Sequence, residues 1–121
     1  MINEKVSVIV CTFNQGKWLK KCLDSLINQK FFLKRDYEVI LIDDASKDLT
    51  KTILKKYKKN KNIKVFRNKK NLGLPKSLNI GLNKSINKYI VRVDADDFVE
   101  KKFLKLSREF LQKNDKYQAV A

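Results

Sequence analysis

Four short apolar runs, each followed by a polar turn and then a helical pattern, constrain this chain more than any other feature. Val6, Val8 and Val10 interleave with Ser7 and Ile9, which reads as a strand buried on both faces. After the turn at residues 11–16, Trp18, Leu19, Cys22, Leu23, Leu26 and Ile27 recur at helical spacing with lysines opposite. Asn14 is the expected cap of that helix. Phe31, Phe32 and Leu33 make the following connector unusually apolar and are expected to cover the sheet edge. Residues 37–42 form the second run and lead into Asp43-Asp44-Ala45-Ser46-Lys47-Asp48, where Ser46 or Asp43 is the expected cap. Leu49, Ile53, Leu54 and Tyr57 mark one face of the next helix.

Residues 63–67 alternate and predict a third, shorter strand. Pro75 suits the first turn of a helix, where its missing N–H costs nothing. Leu78, Leu82 and Ile86 give that helix its apolar side, and Gly81 within it predicts close packing. Residues 88–93 are the fourth strand, and Phe103, Leu104, Leu106, Phe110 and Leu111 the last amphipathic helix. Residues 117–121 resemble the start of a fifth strand. The order predicts an α/β domain, a mostly parallel sheet with helices on both faces and right-handed crossovers. In such sheets ligands sit beyond the carboxyl ends of the strands. Here those ends carry Thr12 to Gly16, Asp43 to Asp48, Asn68 to Gly73 and Asp94 to Asp97, so the acids gather on one rim.

A length of 121 residues supports one domain with a real core and no disulfide help. The absence of histidine removes His-based triads, His general bases and the common zinc sites. Two cysteines make no framework; Cys11 and Cys22 read as buried free thiols in a reducing cytoplasm. The net charge of +15 is carried almost wholly by lysine, with arginine only at 35, 67, 92 and 108. Arginine's bidentate fork is the usual tool of specific phosphate or base recognition, so no specific nucleic-acid partner is expected. An attraction to anionic lipid at the inner face of a membrane stays open.

Val93-Asp94-Ala95-Asp96-Asp97 places three carboxylates in four residues at the exit of a strand. Close like charges disfavour one another's ionisation unless a cation joins them. If Asp94 and Asp96 stay extended, both side chains turn to one side, an arrangement that suits Mg²⁺ or Mn²⁺ with phosphate oxygens completing the shell. An acidic helix start is the alternative, and Asp97 fits the cap or an outer position better than a direct ligand.

Spacing separates the α/β alternatives. The first turn has one glycine, not the Gly-x-Gly-x-x-Gly of a dinucleotide site, and no P-loop occurs. A phospho-acceptor domain would carry its acidic pair after the first strand, whereas here it follows the second. Four blocks in order, Val8-Ile9-Val10-Cys11-Thr12-Phe13-Asn14, Ile42-Asp43-Asp44-Ala45-Ser46-Lys47-Asp48, Asn71-Leu72-Gly73 with Asn79-Ile80-Gly81, and Val93-Asp94-Ala95-Asp96-Asp97, resemble the family 2 glycosyltransferases of GT-A fold.

The resemblance implies a Rossmann-like GT-A nucleotide-binding domain over residues 1–121, truncated after the fourth βα unit, with the acceptor-binding half absent. It implies that Cys11, Thr12, Phe13 and Asn14 line a nucleotide pocket. The acid matching Asp44 accepts a hydrogen bond from uracil, which suits an acceptor-only carboxylate. Asp94 and Asp96 hold ribose and a Mn²⁺ or Mg²⁺ ion on the diphosphate. The partners implied are a nucleotide-diphosphate sugar, UDP-linked, and a glycan or lipid-linked acceptor, with inversion at the sugar. Only 24 residues follow Asp97; Glu109 and Asp115 read as surface charges, so the general base is expected beyond Ala121. The rival readings are a basic module binding nucleic acid or an anionic membrane, and a sugar-nucleotide nucleotidyltransferase. The latter wants a glycine-rich first loop.

Overall fold

The computed structural model describes residues 4–30, 32–114 and 116. The fold alternates as read: β1 (Val6–Thr12), α1 (Gly16–Ile27), a 3₁₀ turn (Lys34–Asp36), β2 (Tyr37–Asp43), α2 (Thr50–Lys55), β3 (Ile63–Arg67), α3 (Leu74–Lys84), β4 (Tyr89–Arg92) and α4 (Phe103–Lys113). The sheet runs β3-β2-β1-β4 and every pairing in it is parallel. The predicted fifth strand at 117–121, and Phe31 and Asp115, lie outside the described residues.

The central strands β1 and β2 are buried on both faces, as their unbroken apolar runs require. Val6, Val8 and Val10 stand beside Tyr37, Val39 and Leu41 in register and pack into one core with Leu19, Leu23 and Leu26 of α1, Leu54 of α2 and Leu104 of α4. The opposite face carries Ser7, Ile9, Glu38 and Ile40 and receives α3. A helix therefore covers each face.

The face α3 presents is not its leucine side. Ser77 and Gly81 are its buried residues, while Leu82 and the following Ile86 are exposed. Size decides this: a Cβ on Gly81 would stand 2.5 Å from Ile9 Cγ2, so only a small-residue stripe lets the helix down onto β1. Gly81→Ala gains about 1 kcal/mol of helix propensity but forces a methyl against a stiff, buried β-branched side chain, typically costing about 1–3 kcal/mol. We expect net destabilisation of about 1 kcal/mol, read as a lower urea midpoint; a raised midpoint would contradict the packing.

Three other apolar assignments shift. Trp18 is exposed with Lys17 against its ring, so it lies off the buried stripe of α1. Phe32 enters the core and meets Tyr37 edge-on at 5.7 Å instead of capping the sheet edge, and Leu33 is exposed. Leu49 is exposed, leaving Leu54 and Tyr57 to seat α2. β4 is an edge strand, so Ile90 is partly exposed despite its apolar run.

Candidate functional site

The carboxyl end of the sheet is bound into one rim by polar contacts between loops distant in sequence. Asn14 does not cap α1. It sits at φ 52°, a conformation asparagine tolerates better than most residues. Its N–H donates to Ser46 Oγ (2.9 Å), and its Oδ1 accepts from the Lys47 N–H (2.8 Å). The start of α1 is served from across the rim: Gly16 N–H donates to Asp48 Oδ2 (2.9 Å). Asp48 Oδ1 also accepts from the N–H and hydroxyl of Thr50 at the start of α2. One aspartate thus serves two helix starts, where neither Ser46 nor Asp43 does.

Asp43 is buried and braces the turn it begins. Its Oδ1 accepts from the Ser46 N–H (3.0 Å), its Oδ2 pairs with Arg67, and Arg67 also donates to the Ser46 carbonyl (2.8 Å). Within that turn Ala45 is held at φ 63°, a left-handed position costing a non-glycine residue about 1–2 kcal/mol.

Asp44 is the hub of the rim. Oδ1 accepts from Asn68 Nδ2 (2.9 Å) and Leu72 N–H (2.8 Å), and Oδ2 from Asn71 Nδ2 (3.0 Å) and Gly73 N–H (2.9 Å). A carboxylate has about four acceptor positions, and protein donors fill them all. Burial pushes the Asp44 carboxyl up, but hydrogen bonds from Asn68, Leu72, Gly73 and Ser77 outweigh it and hold the group below its ordinary value. Gly73, at φ 92°, then turns the loop into α3.

A cavity of about 160 Å³ lies between these loops, lined by Cys11, Thr12, Phe13, Gln15, Asp44, Leu74 and Ser77. The sequence-predicted residues Cys11, Thr12, Phe13 and Asp44 therefore meet. Asn14 stands beside them in the loop but does not line this cavity. Thr12 Oγ1 is buried without a hydrogen-bond partner among the described residues. Cys11 is half-buried, not buried; burial raises its thiol to about 11 and that of Cys22 to about 12, so both stay protonated at neutral pH.

Beyond β4 the acidic residues do not stay extended. A turn closed by Asp97 N–H to the Asp94 carbonyl (3.0 Å) gathers all three carboxylates, and one oxygen from each of Asp94, Asp96 and Asp97 lies within 4.8 Å of the others. Asp97 caps no helix, since α4 starts only at Phe103. Arg92 pairs with Asp94 Oδ1 at 3.0 Å. The Val93 N–H to Ile9 carbonyl bond (3.0 Å) and Cys22 Sγ to the Asp94 carbonyl (3.5 Å) fix the turn to β1 and α1. The exposed all-oxygen set fits a hard divalent cation. Sequence reading placed Asp48 and Asn68 at the bounds of two rim loops without assigning either a role, and it missed Arg67 and Arg92.

The sequence pattern of Glycosyl transferase family 2 matches residues 7–121. An uncharacterized glycosyltransferase of Haemophilus influenzae is 40% identical over 116 residues, 95% of this chain and 35% of that protein. Poly(ribitol-phosphate) beta-N-acetylglucosaminyltransferase TarS of Staphylococcus aureus is 37% identical over 111 residues, 91% of this chain and 19% of that protein. The crystal structure of S. aureus TarS 1-349 in complex with UDP-GlcNAc superposes with a TM-score of 0.84 at 37% identity, covering 92% of this chain and 32% of that one. The chain thus spans about a third or less of the length of these relatives. With the parallel α/β sheet of the GT-A fold and a family match running through all four rim loops, the chain belongs to glycosyl transferase family 2.

Proposed function

We propose that this chain is the donor-binding portion of an inverting, metal-dependent glycosyltransferase that uses a UDP-linked sugar. The observation that carries the reading is the convergence on one rim of the Thr12–Asp44 cavity and the Asp94–Asp96–Asp97 cluster. The UDP-GlcNAc complex of TarS supports the choice of nucleotide. In this reading Cys11, Thr12, Phe13 and Asn14 line the nucleotide pocket. Asp44 sits at the base end; because its acceptor positions are filled, a uracil N–H has to share or displace a loop donor there. Asp94 reaches the ribose, and Asp94 with Asp96 holds Mn²⁺ or Mg²⁺, with Asp97 beside them.

When bound, that ion supplies charge neutralisation for the departing diphosphate. The transfer itself is a single displacement: an acceptor hydroxyl attacks the anomeric carbon as the bond to the diphosphate breaks, and the hydroxyl proton passes to a general base. We place that base outside residues 1–121, since Glu109 is ion-paired with Lys105 on α4. The acceptor is a glycan or a lipid-linked molecule. The free thiols of Cys11 and Cys22 fit a reducing cytoplasm, and among the described residues no helix is long and apolar enough to cross a membrane.

Thermal unfolding with UDP and Mn²⁺ tests the reading. Ligand at about a hundred times Kd stabilises the fold by roughly 2.7 kcal/mol. No shift with the pair, or the same shift with Mn²⁺ withheld, counts against a metal-dependent donor site.

A further inference from the structure

The end of the sheet opposite the rim gathers basic side chains with few acids beside them. The acids at 43, 44, 48, 94, 96 and 97 all lie at the carboxyl ends of the strands. At the amino ends, the connections leading into β1, β2 and β3 bring Lys5, Lys34, Arg35, Lys59, Lys61 and Lys64 around one open groove of about 680 Å³. Its floor is Glu38, which is buried, already neutralised by Lys64 (2.8 Å), and accepts a hydrogen bond from Ser7 Oγ (2.6 Å). Glu4 and Asp36 are the other acids at this end, and Glu4 pairs with Lys88 at 3.3 Å. Among the described residues no carboxylate pairs with Lys5, Lys34, Arg35, Lys59 or Lys61.

The groove is a fixed frame. Asn62 Nδ2 donates to the Lys34 and Tyr37 carbonyls, tying two connections together. Asn87 ties a third to β1 through Ser7 Oγ and the Val6 carbonyl. Ile86 N–H donates to Glu38 Oε2 (3.2 Å), so this residue is held in place with its side chain 75% exposed. Leu33, just before Lys34, is 56% exposed.

We propose that this face docks on an anionic phospholipid surface. Clustered lysines are drawn to acidic headgroups, and exposed aliphatic side chains among them enter the interface, as on amphipathic membrane-surface helices. A single-stranded nucleic acid would instead want aromatic platforms for its bases, and the groove's one aromatic, Tyr37, is buried. The rim aspartates, at the far ends of the same strands, orient the molecule. Strands of seven residues at about 3.3 Å per residue stand the acidic rim roughly 20 Å off the bilayer, facing away from it.

Co-sedimentation with vesicles tests this. The chain binds vesicles containing phosphatidylglycerol, does not bind pure phosphatidylcholine, and is released by salt. The triple variant K34Q/K59Q/K61Q loses about fivefold per cation, on the order of a hundredfold together. Ile86→Ser weakens binding several-fold. A control, K51Q/K69Q/K70Q, carries the same charge loss elsewhere and loses far less. All of these side chains are exposed, and unchanged far-UV circular dichroism shows that each variant is folded. No binding to the acidic vesicles, equal binding to phosphatidylcholine, equal loss in the control, or binding to inorganic phosphate or single-stranded RNA without vesicle binding overturns the proposal. Stabilisation by UDP and Mn²⁺ is unchanged in the triple variant; failure of that stabilisation in the unaltered chain removes the donor reading and leaves this one standing.

Discussion

Replacing Asp94 and Asp96 together by asparagine abolishes the stabilisation that UDP with Mn²⁺ confers, while the ligand-free protein unfolds within a few degrees of the unaltered one. The two halves of this outcome have separate causes. Asparagine keeps the shape of each side chain but removes the charge a hard cation needs, so the whole ligand-linked increment of roughly 2.7 kcal/mol disappears. For a chain of this size that is a melting-temperature difference of roughly 10 °C. The ligand-free fold hardly notices, because the residues are exposed. The Arg92–Asp94 pair is half-exposed at both partners, and such pairs are worth at most about 1 kcal/mol. Relief of repulsion among the three carboxylates offsets part of even that. Full stabilisation by UDP and Mn²⁺ in the double variant would remove these residues from the donor site.

Much of the scaffold was legible because β1 and β2 are buried on both faces, and continuous apolar runs have no other stable use in a soluble α/β chain. The same logic failed at the edges. Residues 88–93 read as one more apolar strand, but burial of an edge strand depends on what packs beside it, which no local pattern encodes. α3 failed for a different reason: hydropathy selected Leu78, Leu82 and Ile86, whereas the close approach to Ile9 selected Ser77 and Gly81 by size. Caps were misassigned because sequence reading looks to the adjoining residues, while the rim uses Asp48 from 32 positions away to serve Gly16. At the acidic cluster the residue types were readable and the conformation was not. A turn, not an extended strand end, gathers Asp97 with Asp94 and Asp96.

Asp44→Asn tests the least expected feature of the rim, the saturation of that carboxylate by four protein donors. Whichever way the amide is oriented, its NH₂ faces two of them: Asn68 Nδ2 and Leu72 N–H, or Asn71 Nδ2 and Gly73 N–H. Asp44 is 4% exposed, so the displaced donors have little access to water. Leaving a buried donor unmet costs about 1–3 kcal/mol each; the expected destabilisation is about 2–5 kcal/mol. UDP affinity falls with it, because the 68–73 loop loses its anchor. Acid titration separates this clamp from a generic defect. The folded carboxyl is held below its ordinary value, so its contribution is complete above the unfolded value of about 3.9. Below that pH the unfolded chain takes up the proton first, and the contribution drains away until the folded carboxyl protonates as well. The stability gap between the unaltered protein and Asp44→Asn is therefore constant near neutrality and narrows below about pH 4. A variant that melts like the unaltered protein yet loses UDP would instead make Asp44 a base contact and no clamp.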